Sequence, residues 1–192
     1  KQGVPAPEWD AERLLRHVLS WDRATIVASP GVSVGSELER AFRSLVAERA
    51  KRVPLQHLTG LQAFWKHEFR VTPDVLIPRP ETELLVELAL ARIPQNQPCR
   101  VLDLGTGSGA IAISLARNRP LAAVTAVDQS LEALAVAREN AAQLEVTNLR
   151  LLHSNWFGAL KGETFDLIVS NPPYVEAADP HLKQGDVRFE PL

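Results

Sequence analysis

From Cys99 onward, apolar segments with the character of buried strands alternate with helical segments of roughly 10 to 15 residues. The strand candidates read RVLDLG, AAVTAVD, NLRLLHS and FDLIVS, and the helices between the first three read GAIAISLARN and SLEALAVARENAAQL. Apolar strands that are joined by helices form a parallel sheet covered on both faces, with right-handed crossovers. This part of the chain therefore predicts a doubly wound α/β fold.

The first part of the chain has a different pattern. Apolar side chains recur at helical spacing in residues 8–21 and 36–50, so both segments are predicted to be helices. Residues 61–77 read as two short strands that form a hairpin, and an amphipathic helix then follows two prolines and runs to about Ile93. We expect three regions: an N-terminal helical domain over 1–60, a β-hairpin linker over 61–78 and an α/β domain over 79–192.

Composition limits the classes of protein to which the chain can belong. Hydrophobic residues make up 45% of it, as in ordinary globular proteins, and no apolar run reaches the roughly 18 residues of a membrane span. The first residues have no signal-peptide pattern. Cys99 is the single cysteine, so no internal disulfide can form, and no Cys/His spacing resembles a zinc site. We therefore expect a cytoplasmic protein with no metal and no membrane contact.

The charge of the chain bears on a nucleic-acid partner. A net charge of -2 disfavours one, because binding several phosphates requires a basic face. The basic residues around Arg49 and Arg52 occur at helical spacing, which is typical of a solvated helix face.

Three glycines follow the first apolar strand and open a helix. Gly105, Gly107 and Gly109 let a ligand approach the backbone, and the free N–H groups at the helix start face it. Asp128 ends the second strand about 20 residues later, where a carboxylate can accept hydrogen bonds from two ribose hydroxyls. The pattern predicts a cofactor that contains ribose, and leaves both NAD and S-adenosylmethionine open.

The segment Asn171, Pro172, Pro173 and Tyr174 comes directly after the last apolar strand, at the end of the sheet where ligands of such folds bind. Two successive prolines remove two donors and stiffen the backbone. The Asn171 side-chain oxygen and the Pro172 carbonyl could each accept one N–H of a substrate NH2 group, while Tyr174 packs against its planar face. This predicts a site for planar amino groups whose delocalised lone pair is turned toward an electrophile by positioning, without a general base.

The string VLDLGTGSG resembles the first motif of S-adenosylmethionine-dependent methyltransferases. Asp103 within it could receive the amino end of a methionine moiety, or it could cap the N–H groups of its own loop. Together with NPPY, the string is similar to the amino-methyltransferases of the seven-stranded class. Three more strings, PLQHLTG, LIPRPETE and NPPYVEAADPHLKQGDVRFEPL, resemble the release-factor glutamine N5-methyltransferases, the PrmC/HemK family.

This resemblance implies a Rossmann-like seven-stranded sheet with S-adenosylmethionine as cofactor and S-adenosylhomocysteine as product. It implies methylation of the glutamine in the Gly-Gly-Gln motif of class I peptide chain release factors, with a helical domain that grips the factor. Where the family has Asp after the third strand, this chain has Asn155, whose oxygen can still accept the adenine amino proton, and Trp156 would lie beside the adenine. The implied catalytic and substrate-binding residues are Asn171, Pro172, Pro173 and Tyr174, and the implied cofactor contacts are Gly105, Thr106, Gly107, Ser108, Gly109, Asp128, Asn155, Trp156 and Asn171.

Two other readings remain open. The same NPPY chemistry serves nucleic-acid amino-methyltransferases of the adenine N6 type, and a binding module could hold the cofactor without turnover.

The four candidate strands end in FDLIVS, which would leave an apolar strand at a sheet edge. We therefore expect that further strands follow in the natural protein.

Overall fold

The computed structural model describes residues 3–176 and 179–191, which form two compact units. One unit contains residues 3–60 and 180–189, and the other contains 61–176, 179, 190 and 191.

The first unit is helical. Its α-helices are α1 (Pro7–Leu19), α2 (Arg23–Ala28), α3 (Ser36–Ala50) and α4 (Leu55–Thr59), and two 3-10 turns lie at Pro180–Lys183 and Val187–Phe189. The two helices predicted at 8–21 and 36–50 are confirmed as α1 and α3. The short helices α2 and α4 span too few residues to show a helical period, so the sequence pattern did not reveal them.

Arg49 contradicts the interpretation of its basic cluster as a solvated helix face. Its guanidinium is buried, with Nε 2.7 Å from Asp10 Oδ2, Nη2 2.8 Å from Asp186 Oδ2 and Nη1 3.0 Å from the Val53 carbonyl oxygen. Burial alone would raise the pKa of Asp186, but hydrogen bonds from Arg49 and Arg52 hold that pKa below its ordinary value. This paired cluster attaches residues 180–189 to the helices of their unit.

The second unit begins with the predicted hairpin. Strands β1 (Leu61–Phe64) and β2 (His67–Arg70) pair antiparallel across a two-residue turn. A 3-10 turn at Pro80–Thr82 then leads into α5 (Glu83–Arg92), which buries Val86 and Ala89. The helix predicted after the two prolines is therefore present, although its first turn has 3-10 geometry.

The rest of this unit is the predicted doubly wound α/β fold. Its strands pair in parallel in the order β5-β4-β3-β6, and the segment Ala110–Ala116 of helix α6 is buried against the sheet. The edge strand β6 keeps Ile168 48% exposed. The elements are β3 (Cys99–Leu104), α6 (Ala110–Asn118), β4 (Ala122–Asp128), α7 (Leu131–Gln143), β5 (Leu149–His153) and β6 (Leu167–Ser170).

The strand register brings the predicted site residues to one edge of the sheet. Leu104 at the end of β3 lies opposite Val127 of β4 and Ser170 of β6, and Asp128 lies opposite His153 of β5. The carboxyl ends of all four strands therefore meet at this edge, where ligands of open α/β sheets bind. The segments at the carboxyl ends of the strands, in the order β5, β4, β3 and β6, are 154–156, 128–130, 105–109 and 171–174.

Candidate active site

The glycine loop between β3 and α6 has a backbone that other residues rarely adopt. Gly105, Gly107 and Gly109 have φ of +70°, +56° and +82°, in the left-handed region that favours glycine. The N–H groups of Gly105 and Thr106 both donate to the Val127 carbonyl oxygen, at 2.9 and 3.0 Å. A Cβ atom on Gly105 or Gly107 would meet open space, so a ligand can approach the backbone there.

Gly109 also lies too close to its neighbours to carry a side chain. A Cβ atom there would lie 2.8 Å from Ile113 Cδ1 and 3.2 Å from Ala137 Cβ. We expect Gly109→Ala to lower the free energy of unfolding by about 3 kcal/mol, from left-handed strain and overpacking together. Urea denaturation measures this loss. The matched control is Gly162→Ala, at φ +79° with no atom within 4 Å, which should cost only about 1 kcal/mol. Equal losses in the two variants would contradict this account.

Asp128 joins the glycine loop to the end of β4. Its Oδ2 accepts a hydrogen bond from the Gly107 N–H at 2.8 Å, and its Oδ1 accepts one from the Ser130 N–H at 3.0 Å. Ser130 in turn caps α7, because its Oγ accepts from the Ala133 N–H at 3.0 Å. Each carboxylate oxygen has more than one acceptor site, so Asp128 retains the capacity for the two hydroxyl groups predicted from the sequence.

Asp103 lies beneath the same loop with no exposed surface. Its Oδ2 accepts a hydrogen bond from the Thr106 hydroxyl at 2.7 Å, whereas its Oδ1 has no partner among the described residues. Burial raises the pKa of Asp103 to about 6, although the Thr106 hydroxyl and the Ala112 backbone N–H oppose the rise. A buried carboxylate oxygen without a donor fits a ligand that brings a polar N–H group of its own.

Thr106, Ser108 and Gly109 are buried, so within the loop only Gly105 and Gly107 are open to a ligand. The N–H groups of Gly105, Thr106, Gly107 and Gly109 already donate within the protein, so they are not the free donors that the sequence predicted. The Ser108 carbonyl oxygen accepts a hydrogen bond from Asn140 Nδ2 at 2.8 Å. Asn140 is itself fully buried in α7, and it also pairs with both backbone groups of Arg70 at the end of β2. The sequence analysis did not predict these hydrogen bonds of Asn140, although a polar residue on the apolar face of a helix is a signal that could have revealed them.

The segment after β5 carries Asn155 and Trp156 at the same sheet edge. Ser154 fixes its shape, since its Oγ donates to the Trp156 carbonyl oxygen at 2.8 Å and accepts from the Ala159 N–H at 3.0 Å. The Ser154 N–H also donates to the Asp128 carbonyl oxygen at 2.9 Å. Trp156 has a left-handed φ of +50° and is 50% exposed, and Asn155 is exposed as well. Both side chains are therefore accessible to a ligand at this edge.

The NPPY segment leaves β6 beside the glycine loop. The hydroxyl of Ser170 donates to the Leu104 carbonyl oxygen at 2.8 Å, which joins the ends of β6 and β3. Asn171 is half-buried, and its Nδ2 donates to the Thr82 hydroxyl oxygen at 3.2 Å. No donor in the described part of the chain contacts Asn171 Oδ1. Pro172 is half-buried, Pro173 is exposed and Tyr174 is 86% exposed, so the segment presents an open acceptor and an open aromatic ring.

Residues 3–176 and 179–191 contain neither a cluster of metal-ligating side chains nor a membrane-spanning helix. No group of three or more His, Cys, Asp or Glu side chains there is arranged to hold a metal ion. No helix in that part of the protein is long and apolar enough to cross a membrane.

Comparison with known proteins identifies the class of enzyme to which this fold belongs. The model of the methyltransferase small domain matches residues 81–186, and that of the PrmC N-terminal domain matches residues 1–60. A crystal structure of an S-adenosylmethionine-dependent methyltransferase from Agrobacterium tumefaciens superposes with a TM-score of 0.51 at 25% identity, over 59% of this chain and 39% of that one. The fold is that of an S-adenosylmethionine-dependent methyltransferase.

Curated relatives narrow the class to a family. The release factor glutamine methyltransferase of Escherichia coli (strain K12) is 49% identical over 191 residues, which cover all of this chain and 69% of the relative. The enzyme of the same name from Xylella fastidiosa (strain Temecula1) is 47% identical, over 95% of this chain and 66% of the relative. The chain belongs to the release factor glutamine methyltransferase family.

Proposed function

We propose that this protein transfers a methyl group from S-adenosylmethionine to the side-chain amide nitrogen, N5, of the glutamine in the Gly-Gly-Gln motif of class I peptide chain release factors. The observation that carries the proposal is the open Oδ1 of Asn171 at the end of β6, next to a glycine loop with an orphaned buried carboxylate oxygen beneath it. Relatives that bear the name of this activity are about half identical to the chain.

The cofactor contacts follow from the open groups at the sheet edge. The backbone of Gly105–Gly109 would face the methionine part, with Asp103 Oδ1 receiving the amino group. Asp128 would accept the ribose hydroxyls, and Asn155 and Trp156 would contact the adenine. When bound, S-adenosylmethionine supplies an electrophilic methyl group on a sulfonium, and this electrophile requires no metal.

The NPPY segment would act on the glutamine amide by orientation. An amide nitrogen is a poor nucleophile because its lone pair is delocalised into the carbonyl group. Asn171 Oδ1 and the Pro172 carbonyl oxygen would each accept one N–H, which weakens the delocalisation of the nitrogen lone pair and aims it at the methyl carbon, and Tyr174 would pack against the amide plane. Positioning and preorganised dipoles supply the rate, and the methylated nitrogen then loses its proton without a tuned base.

We also propose roles in this reaction for the other regions of the chain. Residues 1–60 would form the domain that grips the release factor, the hairpin at 61–78 would link it to the catalytic domain at 79–192, and the protein would act in the cytoplasm, where translation ends. Within the described residues, Arg49 is paired with carboxylates rather than displayed as part of a basic face. This supports a protein substrate over a nucleic acid.

A methyl-transfer assay with three different acceptors tests the proposal. A labelled methyl group is offered from S-adenosylmethionine to a purified class I release factor, to total RNA and to duplex DNA, with this chain and with a protein of its relatives' full length. We expect label on the factor alone. Label on RNA or DNA, with a rate that falls steeply as salt rises, would instead identify a nucleic-acid amino-methyltransferase. Label on no acceptor, despite cofactor binding, would favour a binding module.

The raised pKa of Asp103 predicts pH-dependent cofactor binding. Below about pH 6 the free protein holds a proton on Asp103, whereas the cationic amino group of the ligand favours the ionised carboxylate. Binding then releases a proton, so the affinity for S-adenosylhomocysteine should rise between about pH 5 and about pH 6 and level off above it. Isothermal titration calorimetry measures the profile. Asp103→Asn cannot titrate and should flatten it; an unchanged slope in that variant would contradict the assignment.

A further inference from the structure

We propose that Thr82 is a positioning residue for methyl transfer, because its hydroxyl holds the Asn171 amide with Oδ1 turned toward the substrate. This inference rests on the proposed role of the NPPY segment in receiving a planar amino group. It concerns a residue 89 positions away from Asn171 in the chain, joined to it by one hydrogen bond of 3.2 Å between Asn171 Nδ2 and Thr82 Oγ1.

The orientation of the Asn171 amide decides whether the site can work. An asparagine side chain has an acceptor at one end and a donor at the other, so a half-turn of the amide exchanges them. In the opposite orientation, Nδ2 would face the N–H groups of the substrate, donor against donor. A threonine hydroxyl can accept or donate, so it does not by itself select one end of the amide; in this structure it accepts from Nδ2 and thereby holds the carboxamide with Oδ1 open, the end that a substrate NH2 group requires.

The backbone around Thr82 is held from both sides. Upstream, the buried side chain of Glu190 accepts hydrogen bonds from the Ile77 N–H at 3.0 Å and from Arg79 Nη2 at 2.5 Å. The Thr82 N–H closes the 3-10 turn on the Arg79 carbonyl oxygen at 3.0 Å. Downstream, Glu83 Oε1 accepts from the Trp65 N–H at 2.8 Å. A hydroxyl on so constrained a backbone can fix the position of its partner.

Two variants of Thr82 separate the hydroxyl from the shape of the side chain. Thr82→Val keeps the volume and removes the hydrogen bond to Asn171 Nδ2, so the carboxamide is no longer anchored with Oδ1 at the substrate position. We expect kcat to fall about 10-fold, with the dissociation constant of S-adenosylhomocysteine unchanged, since orientation of the nucleophile is lost while the cofactor contacts remain. Thr82→Ser keeps the hydroxyl and should stay within about 3-fold of the unchanged protein.

A double-mutant cycle with Asn171 distinguishes positioning from a general structural effect. If Thr82 acts only through Asn171, Thr82→Val should have no further effect on kcat in the Asn171→Ala protein. An equal kcat for Thr82→Val and the unchanged protein would overturn the inference, as would an equal 10-fold loss in the Asn171→Ala background. Should Thr82→Val fold poorly, the side-chain NH2 resonances of Asn171 are compared by NMR in Thr82→Ser and Thr82→Ala, and only Thr82→Ala should shift them toward solvent values.

The assay also separates this inference from the proposed function. The cycle is measured with whichever acceptor the unchanged protein methylates, because any planar amino group requires the same open Oδ1. Methylation of nucleic acid alone would refute the release-factor substrate and leave the test of Thr82 intact. If no acceptor is methylated, NMR decides: resonances of Asn171 that are the same in Thr82→Ala as in the unchanged protein would refute the role of Thr82.

Discussion

Asn171→Ala lowers kcat for methylation of the release factor by at least about 100-fold, whereas the affinity for S-adenosylhomocysteine falls much less, because Asn171 is one of several implied cofactor contacts. The substitution removes the side-chain oxygen that would accept a substrate N–H, so the amide lone pair is no longer turned toward the methyl group. It leaves the Gly107–Asp128 hydrogen bond in place. Steady-state kinetics and calorimetry on the same preparation measure both quantities.

Asn118→Ala is the matched control for this variant. Asn118 lies at the end of α6, where its Nδ2 donates to the Ser114 carbonyl oxygen at 2.8 Å, so the same substitution removes one side-chain hydrogen bond away from the NPPY segment. We expect kcat to stay unchanged. A normal kcat in Asn171→Ala would contradict the assignment of NPPY as catalytic.

Asp128→Ala should raise the dissociation constant of S-adenosylhomocysteine at least about 100-fold. Two hydrogen bonds from ribose hydroxyls to a charged acceptor are lost, each worth about 1.5 to 3 kcal/mol. The change also frees the N–H groups of Gly107 and Ser130, so the glycine loop loses its attachment to β4. Calorimetry with S-adenosylhomocysteine gives the affinity.

Asp166→Ala controls for the loss of a carboxylate that supports the sheet. Asp166 Oδ2 accepts a hydrogen bond from the Arg100 N–H at 2.7 Å, near the amino end of β3 and away from the glycine loop. This variant should lose stability but bind S-adenosylhomocysteine with normal affinity. Equal affinities in Asp128→Ala and the unchanged protein would show that Asp128 is not a ribose ligand.

The parts of the fold that could be predicted from sequence are those encoded locally. The strand, glycine loop and helix around Gly105 form one continuous pattern, and Asp128 ends the next strand, so the order of residues already implied their proximity. Parallel strands place their carboxyl ends at one edge, which brought Asn171 to the same region. No long-range contact had to be known for these inferences.

Apart from the short helices α2 and α4, the features that the sequence did not predict involve side chains whose partners are distant in the chain. Arg49 resembled a surface residue because its partners Asp10 and Asp186 belong to other segments. The Asn140 contact with Arg70 spans 70 positions, and the Asn171 contact with Thr82 spans 89. Such pairs are set by tertiary packing, which no local period or motif spacing encodes.

Mass-spectrometric mapping of the methylated atom decides whether this protein modifies the glutamine of the Gly-Gly-Gln motif. A class I release factor is incubated with S-adenosylmethionine and the protein, digested, and sequenced by tandem fragmentation, beside a factor whose Gly-Gly-Gln glutamine is alanine. We expect one added methyl group, on the side-chain nitrogen of that glutamine, and none on the alanine factor. A methyl group on any other residue, or one that persists in the alanine factor, would contradict it.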